Sequence, residues 1–192
     1  MSAGKAKRKT HAAKAKVLSS AMTFQGAVFG VRTDRVVEPG GVEVTREIVT
    51  HPGSVVVLPV FPNGDILLIR QYRHTIGDFL WELVAGRIEA GEAPSVAARR
   101  ELLEETGYTA RRFRKLLVSF PTPGFVNESM TIYVAEGLRE GTSKPEADEK
   151  ITARRFAQTE LERWLRRGTL RDGKSIAGIL YFWKFHLRSR KK

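Results

Sequence analysis

The stretch that decides the fold is GRIEAGE at residues 86–92, followed after seven residues by RELLEETGY at residues 100–108. Proline suits the first turn of a helix and glycine suits the left-handed position after its last turn, so this stretch predicts a helix from about Pro94 to Thr106, ended by Gly107. On that helix three carboxylates share one sector: those of Glu101, Glu104 and Glu105. Val96 and Leu103 fall on the nearly opposite side and are expected to pack against the core.

This acidic helix face needs a cation. Like charges three or four residues apart destabilise a helix by roughly a few tenths of a kcal/mol per pair. Carboxylates one turn apart can ligate Mg²⁺, which also keeps waters and shares its shell with substrate phosphates. Gly86 and Gly91 permit a close backbone approach, and Glu92 can reach Arg100. Taken alone, the three glutamates are more typical of an ordinary solvated surface helix.

Composition excludes several classes of protein. The chain has 192 residues, of which 42% are hydrophobic and none is cysteine. This length fits one compact domain, and the lack of cysteine excludes a disulfide scaffold, a zinc-thiolate site and a thiol nucleophile. No apolar run approaches the roughly 18 residues needed to cross a bilayer. We therefore expect a cytoplasmic protein without a membrane partner.

The net charge of +12 lies almost entirely in two tails. Residues 1–16 carry six Lys or Arg and residues 184–192 carry five, which leaves 22 basic against 21 acidic residues in the body. We expect residues 1–21 to be a disordered basic tail and residues 188–192 a short basic C-terminal tail. Such tails are commonly just solvated. They can also bind nucleic acid, although the near-neutral body does not favour that partner.

The body reads as a mixture of strands and helices. Alternating apolar residues from 22 to 50, broken at residues 39–41, predict a β meander. Asn63-Gly64 predicts a tight hairpin turn, with positive φ at both residues, between strands at 54–59 and 66–72. Two further strands are expected at 115–120 and 129–135. Together with the helix at the box, these elements predict an α+β fold in the form of an α/β/α sandwich.

Two more helices are expected near the C-terminus. A capping-box match beginning at Thr159 predicts a helix that ends before Gly168. Ser175 is expected to cap a last, apolar helix.

The glycine, glutamate and arginine spacing at residues 86–108 resembles the signature of the Nudix hydrolases at all nine specified positions. At about one chance in ten per position, such a match would arise on the order of once in a billion starting points. The resemblance implies a Nudix α/β/α sandwich with a mixed sheet over residues 51–187, preceded by a small N-terminal β segment. It also implies hydrolysis of a nucleoside diphosphate linked to another moiety, with Mg²⁺ or Mn²⁺ as cofactor.

The resemblance also implies roles for individual residues. Glu101 and Glu105 would be the principal metal ligands, with Glu104 an additional ligand or a contact to metal-bound water. The backbone carbonyl of Ala85 would complete the metal site. Arg100 would hold the loop and the helix together with Glu92. The implied catalytic set is Glu105, Glu104, Glu149 and Arg100.

Neighbouring motifs are similar to those of the ADP-ribose pyrophosphatase group: RQYR at 70–73, ELVAG at 82–86 and PGFVNE at 123–128. In that group an N-terminal β segment commonly takes part in a dimer, so residues 22–50 are expected to dimerise the chain. The implied substrate-binding residues are Arg46, Arg73, Glu82 and Glu128. Arg46 and Arg73 would contact phosphates or nucleoside and Glu128 the ribose end, although each arginine is equally compatible with an ordinary ion pair or solvated charge.

The resemblance also implies a catalytic base in the acidic loop before Ile151, because relatives often place it in a late acidic loop. Glu146, Asp148 and Glu149 remain alternatives, with Glu149 favoured, and the loop is also compatible with a solvated turn. The expected function is metal-dependent hydrolysis of the pyrophosphate bond of ADP-ribose or a related ADP-sugar to AMP and a sugar phosphate. The alternatives are a hydrolase of another nucleotide sugar, such as GDP-mannose, and a non-catalytic Nudix-fold module that binds nucleotide or RNA.

Overall fold

The computed structural model describes residues 14–142 and 150–187, which form two compact units. The N-terminal unit runs to His51 and includes Gly124–Val126. The second unit comprises Pro52–Pro123 and the chain from Asn127 onwards. The expected C-terminal tail at 188–192 lies outside the described residues, as does most of the expected N-terminal tail.

The N-terminal unit is a three-stranded antiparallel sheet in the order β1-β2-β3. Its strands are β1 (Lys16–Gln25), β2 (Gly30–Val37) and β3 (Glu43–Thr50). Residues 16–21, expected to be disordered, instead pair with β2. Composition suggested disorder because few of these side chains can be buried, and β1 is indeed exposed along its length. The backbone ladder orders it instead.

The second unit is built on a mixed sheet in the order β10-β5-β4-β9-β8, with β6 paired to β5 and β7 to β4. Its strands are β4 (Ser54–Val60), β5 (Ile66–Arg73), β6 (Asp78–Glu82), β7 (Val84–Arg87), β8 (Thr109–Ser119), β9 (Met130–Arg139) and β10 (Thr152–Phe156). Its helices are α1 (Pro94–Thr106), α2 (Gln158–Arg166) and α3 (Gly173–Phe182). Within the described residues, no helix is long and apolar enough to cross a membrane.

The central strand β4 separates two hydrophobic cores. Val56 and Leu58 pack in a core with residues of α2 and α3, whereas Val55 and Val57 pack in a core with residues of α1. Because successive side chains of a strand point to opposite faces, a strand buried on both faces must be covered by a layer on each side. The α/β/α sandwich is therefore confirmed.

The buried face of α1 differs from the expectation. Val96 and Leu103 are 54% and 40% exposed. The buried residues of α1 are Ala97, Ala98, Leu102 and Glu105. The small side chains of the two alanines let the helix lie close to the sheet. The prediction that Val96 and Leu103 form the buried face was therefore wrong. This rotation turns one acid of the box, Glu105, toward the interior.

Turn and cap chemistry also differ in detail. In the hairpin between β4 and β5 only Gly64 has a positive φ (91°). The Gly64 N–H donates to the Phe61 carbonyl oxygen, and the Phe61 N–H donates to that of Asp65, so the turn is one residue longer than expected. The expectation for Asn63 was wrong. Helix α2 begins at Gln158 without a side-chain cap, so Thr159 does not cap it. Helix α3 is capped by Asp172, whose carboxylate accepts from the Ser175 N–H.

Candidate active site

The Glu101 side chain lies against the backbone of Gly86, where α1 meets β7. A β-carbon on Gly86 would overlap the Glu101 carboxylate. Gly86 is not among the glycines with positive φ, so this position requires glycine for space and not for conformation. Its neighbour Ala85 pairs with Val56 of the buried strand β4. A rigid strand therefore holds Ala85 and Gly86 beside an acid of the helix.

The guanidinium of Arg100 joins the acids of the box into one group, which we call the box cluster. It donates from Nη1 to Glu101 (2.7 Å) and Glu104 (3.0 Å). It donates from Nε and Nη2 to the two carboxylate oxygens of Glu92 (3.1 and 3.0 Å) and from Nη2 to the Arg87 carbonyl oxygen (3.0 Å). The box cluster is Glu92, Arg100, Glu101 and Glu104. Its bonds tie the glycine loop to the helix.

Arg100 and Glu92 of the box cluster shift each other's pKa values. The hydrogen bonds that Arg100 donates to Glu92, and then to Glu101 and Glu104, raise its pKa against the opposing effect of burial. The hydrogen bond from Arg100 lowers the pKa of Glu92. Both groups therefore stay charged at neutral pH.

Glu105 differs from the other acids of the box because it is only 5% exposed. The side chain of Glu104, by contrast, is 40% exposed. A charge in the protein interior is costly unless cations neutralise it. Burial lowers the pKa of Arg73, but the hydrogen bond and the charge of Glu82, followed by the charge of Glu105, raise it above its ordinary value.

The donor set of this region fits a hard divalent cation. All its ligating atoms are oxygens, which Mg²⁺ and Mn²⁺ prefer. The glycine at position 86 leaves room for a carboxylate against the backbone. Among the described residues, no three Asp, Glu, His or Cys side chains already enclose a metal position. Glu101 and Glu104 instead bind Arg100.

A second charged group, which we call the buried network, consists of Arg73, Glu82, Asp172, Lys174 and Ser175. Glu82 is fully buried. Arg73 binds it through two parallel hydrogen bonds, from Nε to Oε1 (2.8 Å) and from Nη2 to Oε2 (2.7 Å). Lys174 binds the same Oε2 and also donates to Asp172 (2.9 Å). Two cations thus hold two acids.

The first turn of α3 completes the buried network. Ser175 is fully buried, and its hydroxyl donates to the Asp172 carboxylate. The same hydroxyl accepts a hydrogen bond from the Leu83 N–H (2.7 Å). Asp172 therefore caps the helix while Ser175 satisfies a buried backbone donor between β6 and β7.

The other expected site residues are dispersed. Glu128 accepts from the Ser54 hydroxyl (2.7 Å) just before β9. Arg46 lies on β3 of the N-terminal unit, where it forms an ion pair with Glu38 (2.8 Å). Glu149 lies outside the described residues, together with Glu146 and Asp148.

The structure thus brings only some of the expected residues together. Glu101, Glu104 and Arg100 meet at the box beside Ala85, and Arg73 binds Glu82 in the buried network. Glu105 lies buried on α1, outside both groups. Sequence reasoning missed Lys174, Asp172 and the bond from Leu83 to Ser175. The available signal is Asp172 itself, which stands three residues before Ser175 at the spacing of a helix cap, so the expectation of Ser175 as the cap was wrong.

Comparison with known proteins identifies the family. The model of the NUDIX domain matches residues 50–177. An ADP-ribose pyrophosphatase of Mycobacterium tuberculosis is 42% identical over 167 residues, which cover 85% of this chain and 80% of that protein. An ADP-ribose pyrophosphatase of Bacillus subtilis is 39% identical over 134 residues, which cover 70% of this chain and 72% of that protein.

A solved structure shares the fold. The crystal structure of an ADP compounds hydrolase superposes with a TM-score of 0.80 over 93% of this chain and 97% of that one. Its sequence identity is 20%, so the likeness concerns architecture.

Proposed function

This chain belongs to the Nudix hydrolase family, and from that membership we propose that it hydrolyses the pyrophosphate bond of ADP-ribose or a related ADP-sugar to AMP and a sugar phosphate. The substrate class is supported by the two relatives named ADP-ribose pyrophosphatase. The single observation that carries the chemistry is the Glu101 carboxylate seated on the Gly86 backbone. That contact sets acidic oxygens directly against the backbone of strand β7.

We propose that Glu101 and Glu105 bind Mg²⁺, or Mn²⁺, with Glu104 and the Ala85 carbonyl as further contacts. The chemistry such an ion supplies is neutralisation of charge on the phosphate oxygens and activation of water. Arg100 would keep the helix and the glycine loop in register through its bonds to Glu92 and Arg87. Its contribution to the reaction would therefore be to orient the acids.

Arg73 is proposed to bind the diphosphate. Glu82 fixes the guanidinium in a planar, bidentate geometry, and the Arg73 side chain remains 37% exposed. Glu128 is proposed to bind ribose hydroxyls at the ends of β4 and β9, supported by its bond to Ser54. Arg46 is proposed as a further contact to phosphate or nucleoside.

We propose that Glu149 takes a proton from the attacking water. Glu146 and Asp148 stand in the same acidic stretch and are the alternatives. Three single variants, E149Q, E146Q and D148N, would identify the base, because only the loss of the base should lower kcat by about a hundredfold or more. Equal kcat values in all three would exclude this stretch as its source.

We also propose that the chain forms a homodimer through its N-terminal β segment. Strand β1 is exposed along its whole length and presents large apolar side chains, among them Val17, Met22 and Phe24. Exposed apolar strands mark protein interfaces. Sedimentation of the wild type should give a dimer and that of M22E/F24E a monomer. A wild-type monomer at micromolar concentration would contradict the proposal.

The test of the function is a panel of nucleotide sugars incubated with Mg²⁺ or with EDTA, followed by identification of the products. We expect AMP and ribose 5-phosphate from ADP-ribose in Mg²⁺, and none in EDTA. Faster turnover of GDP-mannose would assign a different nucleotide sugar. Binding of nucleotide without turnover of any member would instead indicate a non-catalytic module.

A further inference from the structure

The first turn of α3 holds two parts of the site at once. The Lys174 ammonium binds Glu82, the last residue of β6. The Ser175 hydroxyl accepts from the N–H of Leu83, the next residue along the chain. Strand β7, which carries Ala85 and Gly86, starts immediately after Leu83. A helix about ninety residues away in sequence therefore anchors the junction from which the box strand departs.

Burial shows which member of the buried network can meet a ligand. The side chains of Glu82, Lys174 and Asp172 are 1%, 10% and 13% exposed, whereas that of Arg73 is 37% exposed. Arg73 is thus the point at which the network reaches solvent. The other three charges can act on a ligand only through it.

The charges of the network explain why two cations are present. A buried carboxylate paired with a single, partly exposed cation bears a large desolvation cost. Lys174 supplies a second, buried cation to Glu82, and Asp172 balances the charge of Lys174. Arg73 thus donates to both carboxylate oxygens of Glu82 while Lys174 binds one of them.

We infer that Lys174 and Asp172 are positioning residues, which act through Glu82 to fix the guanidinium of Arg73 for a substrate's diphosphate. The inference rests on the proposed function for the identity of the ligand. It adds that residues on α3, outside the Nudix signature, set how tightly the site binds phosphate.

The kinetic test is a double-mutant cycle on ADP-ribose in Mg²⁺ with K174M, R73M and K174M/R73M. We expect K174M to raise KM about tenfold with kcat changed less than about threefold, since a phosphate-binding cation is loosened. In the R73M background K174M should not raise KM further, because the guanidinium through which Lys174 acts is absent. K174R should restore most of the wild-type KM. The matched control is R171M, which removes a cation beside α3 that pairs with exposed Asp78.

A second readout needs no turnover. The Nε–Hε signal of Arg73, assigned with R73K, should be sharp in ¹⁵N spectra of the wild type and of R171M. It should shift or broaden in K174M and in D172N, a variant that keeps a capping side chain. If K174M does not fold, D172N takes its place in the cycle.

The outcomes separate the two proposals. An unchanged Arg73 signal together with an unchanged KM would overturn the positioning role. The same rise in KM with and without Arg73 would also overturn it, because Lys174 would then act elsewhere. Absence of ADP-ribose turnover by the wild type would defeat the proposed function, while the spectra would still decide the network.

Discussion

The box cluster and the buried network both place an arginine on glutamate, yet their charges differ. In the box cluster one cation, Arg100, serves three acids. In the buried network two cations, Arg73 and Lys174, serve two acids. A group with excess acid can accept a further cation, whereas the acids of a balanced group are already neutralised. The comparison therefore favours the box, and not the buried network, for the metal ion that we propose.

The largest effect is expected from E105Q, which removes a charged oxygen next to the box cluster. We expect kcat with ADP-ribose to fall at least about a hundredfold, because loss of a metal ligand costs several kcal/mol of transition-state charge stabilisation. Steady-state kinetics in Mg²⁺ measure it. E160Q, which alters an exposed ion pair with Arg154, is the control. Wild-type turnover by E105Q would remove Glu105 from the metal site.

The next largest effect is expected from G86A. The added methyl group would overlap the Glu101 carboxylate and displace it, and small displacements of reacting groups are costly. We expect kcat/KM to fall about tenfold to a hundredfold while the melting temperature changes little. G40A, where a β-carbon meets open space, should behave as the wild type. An active G86A would mean that Glu101 need not touch this strand.

A substitution in the buried network should lower the free energy of unfolding. S175A leaves the buried N–H of Leu83 without its acceptor, which should lower the free energy of unfolding by about 1–3 kcal/mol. Urea denaturation measures the loss. T159A, at the exposed residue that does not cap α2, should change it by less than about 0.5 kcal/mol. Equal effects of the two variants would show that the hydrogen bond between Leu83 and Ser175 does not stabilise the fold.

The smallest effect concerns pH and the box cluster. Arg100 lowers the pKa of Glu92 below its ordinary value of 4.5. Because the folded pKa is the lower one, this pair stabilises the protein above pH 4.5 and ceases to do so as the pH falls through the folded pKa. The difference in unfolding free energy between wild type and E92Q should therefore shrink below pH 4.5. E89Q, at an exposed acid of the same turn, should show no such trend. A pH-independent difference would contradict the coupling.

Predictions from local spacing succeeded where the responsible contacts are local. Helix α1 lies at the predicted residues because its proline and its terminal glycine act within one turn. Arg100 reaches Glu92, eight residues away, back over the first two turns of α1. Predictions of side-chain packing succeeded less well, since Leu102 and not Leu103 is buried. The buried face of α1 depends on how closely its alanines approach the sheet. The periodicity of apolar residues along the helix does not predict this approach.

The sequence alone determined the family, the sandwich and the acids that face one another on α1, because spacing along one helix fixes which side chains are neighbours. Tertiary structure alone decided that Glu105 turns inward, that residues 16–21 extend the first strand and that α3 supports Arg73. The bond between Lys174 and Glu82 joins residues 92 positions apart. Contacts of that kind arise from the packing of whole layers, which a one-dimensional pattern does not contain.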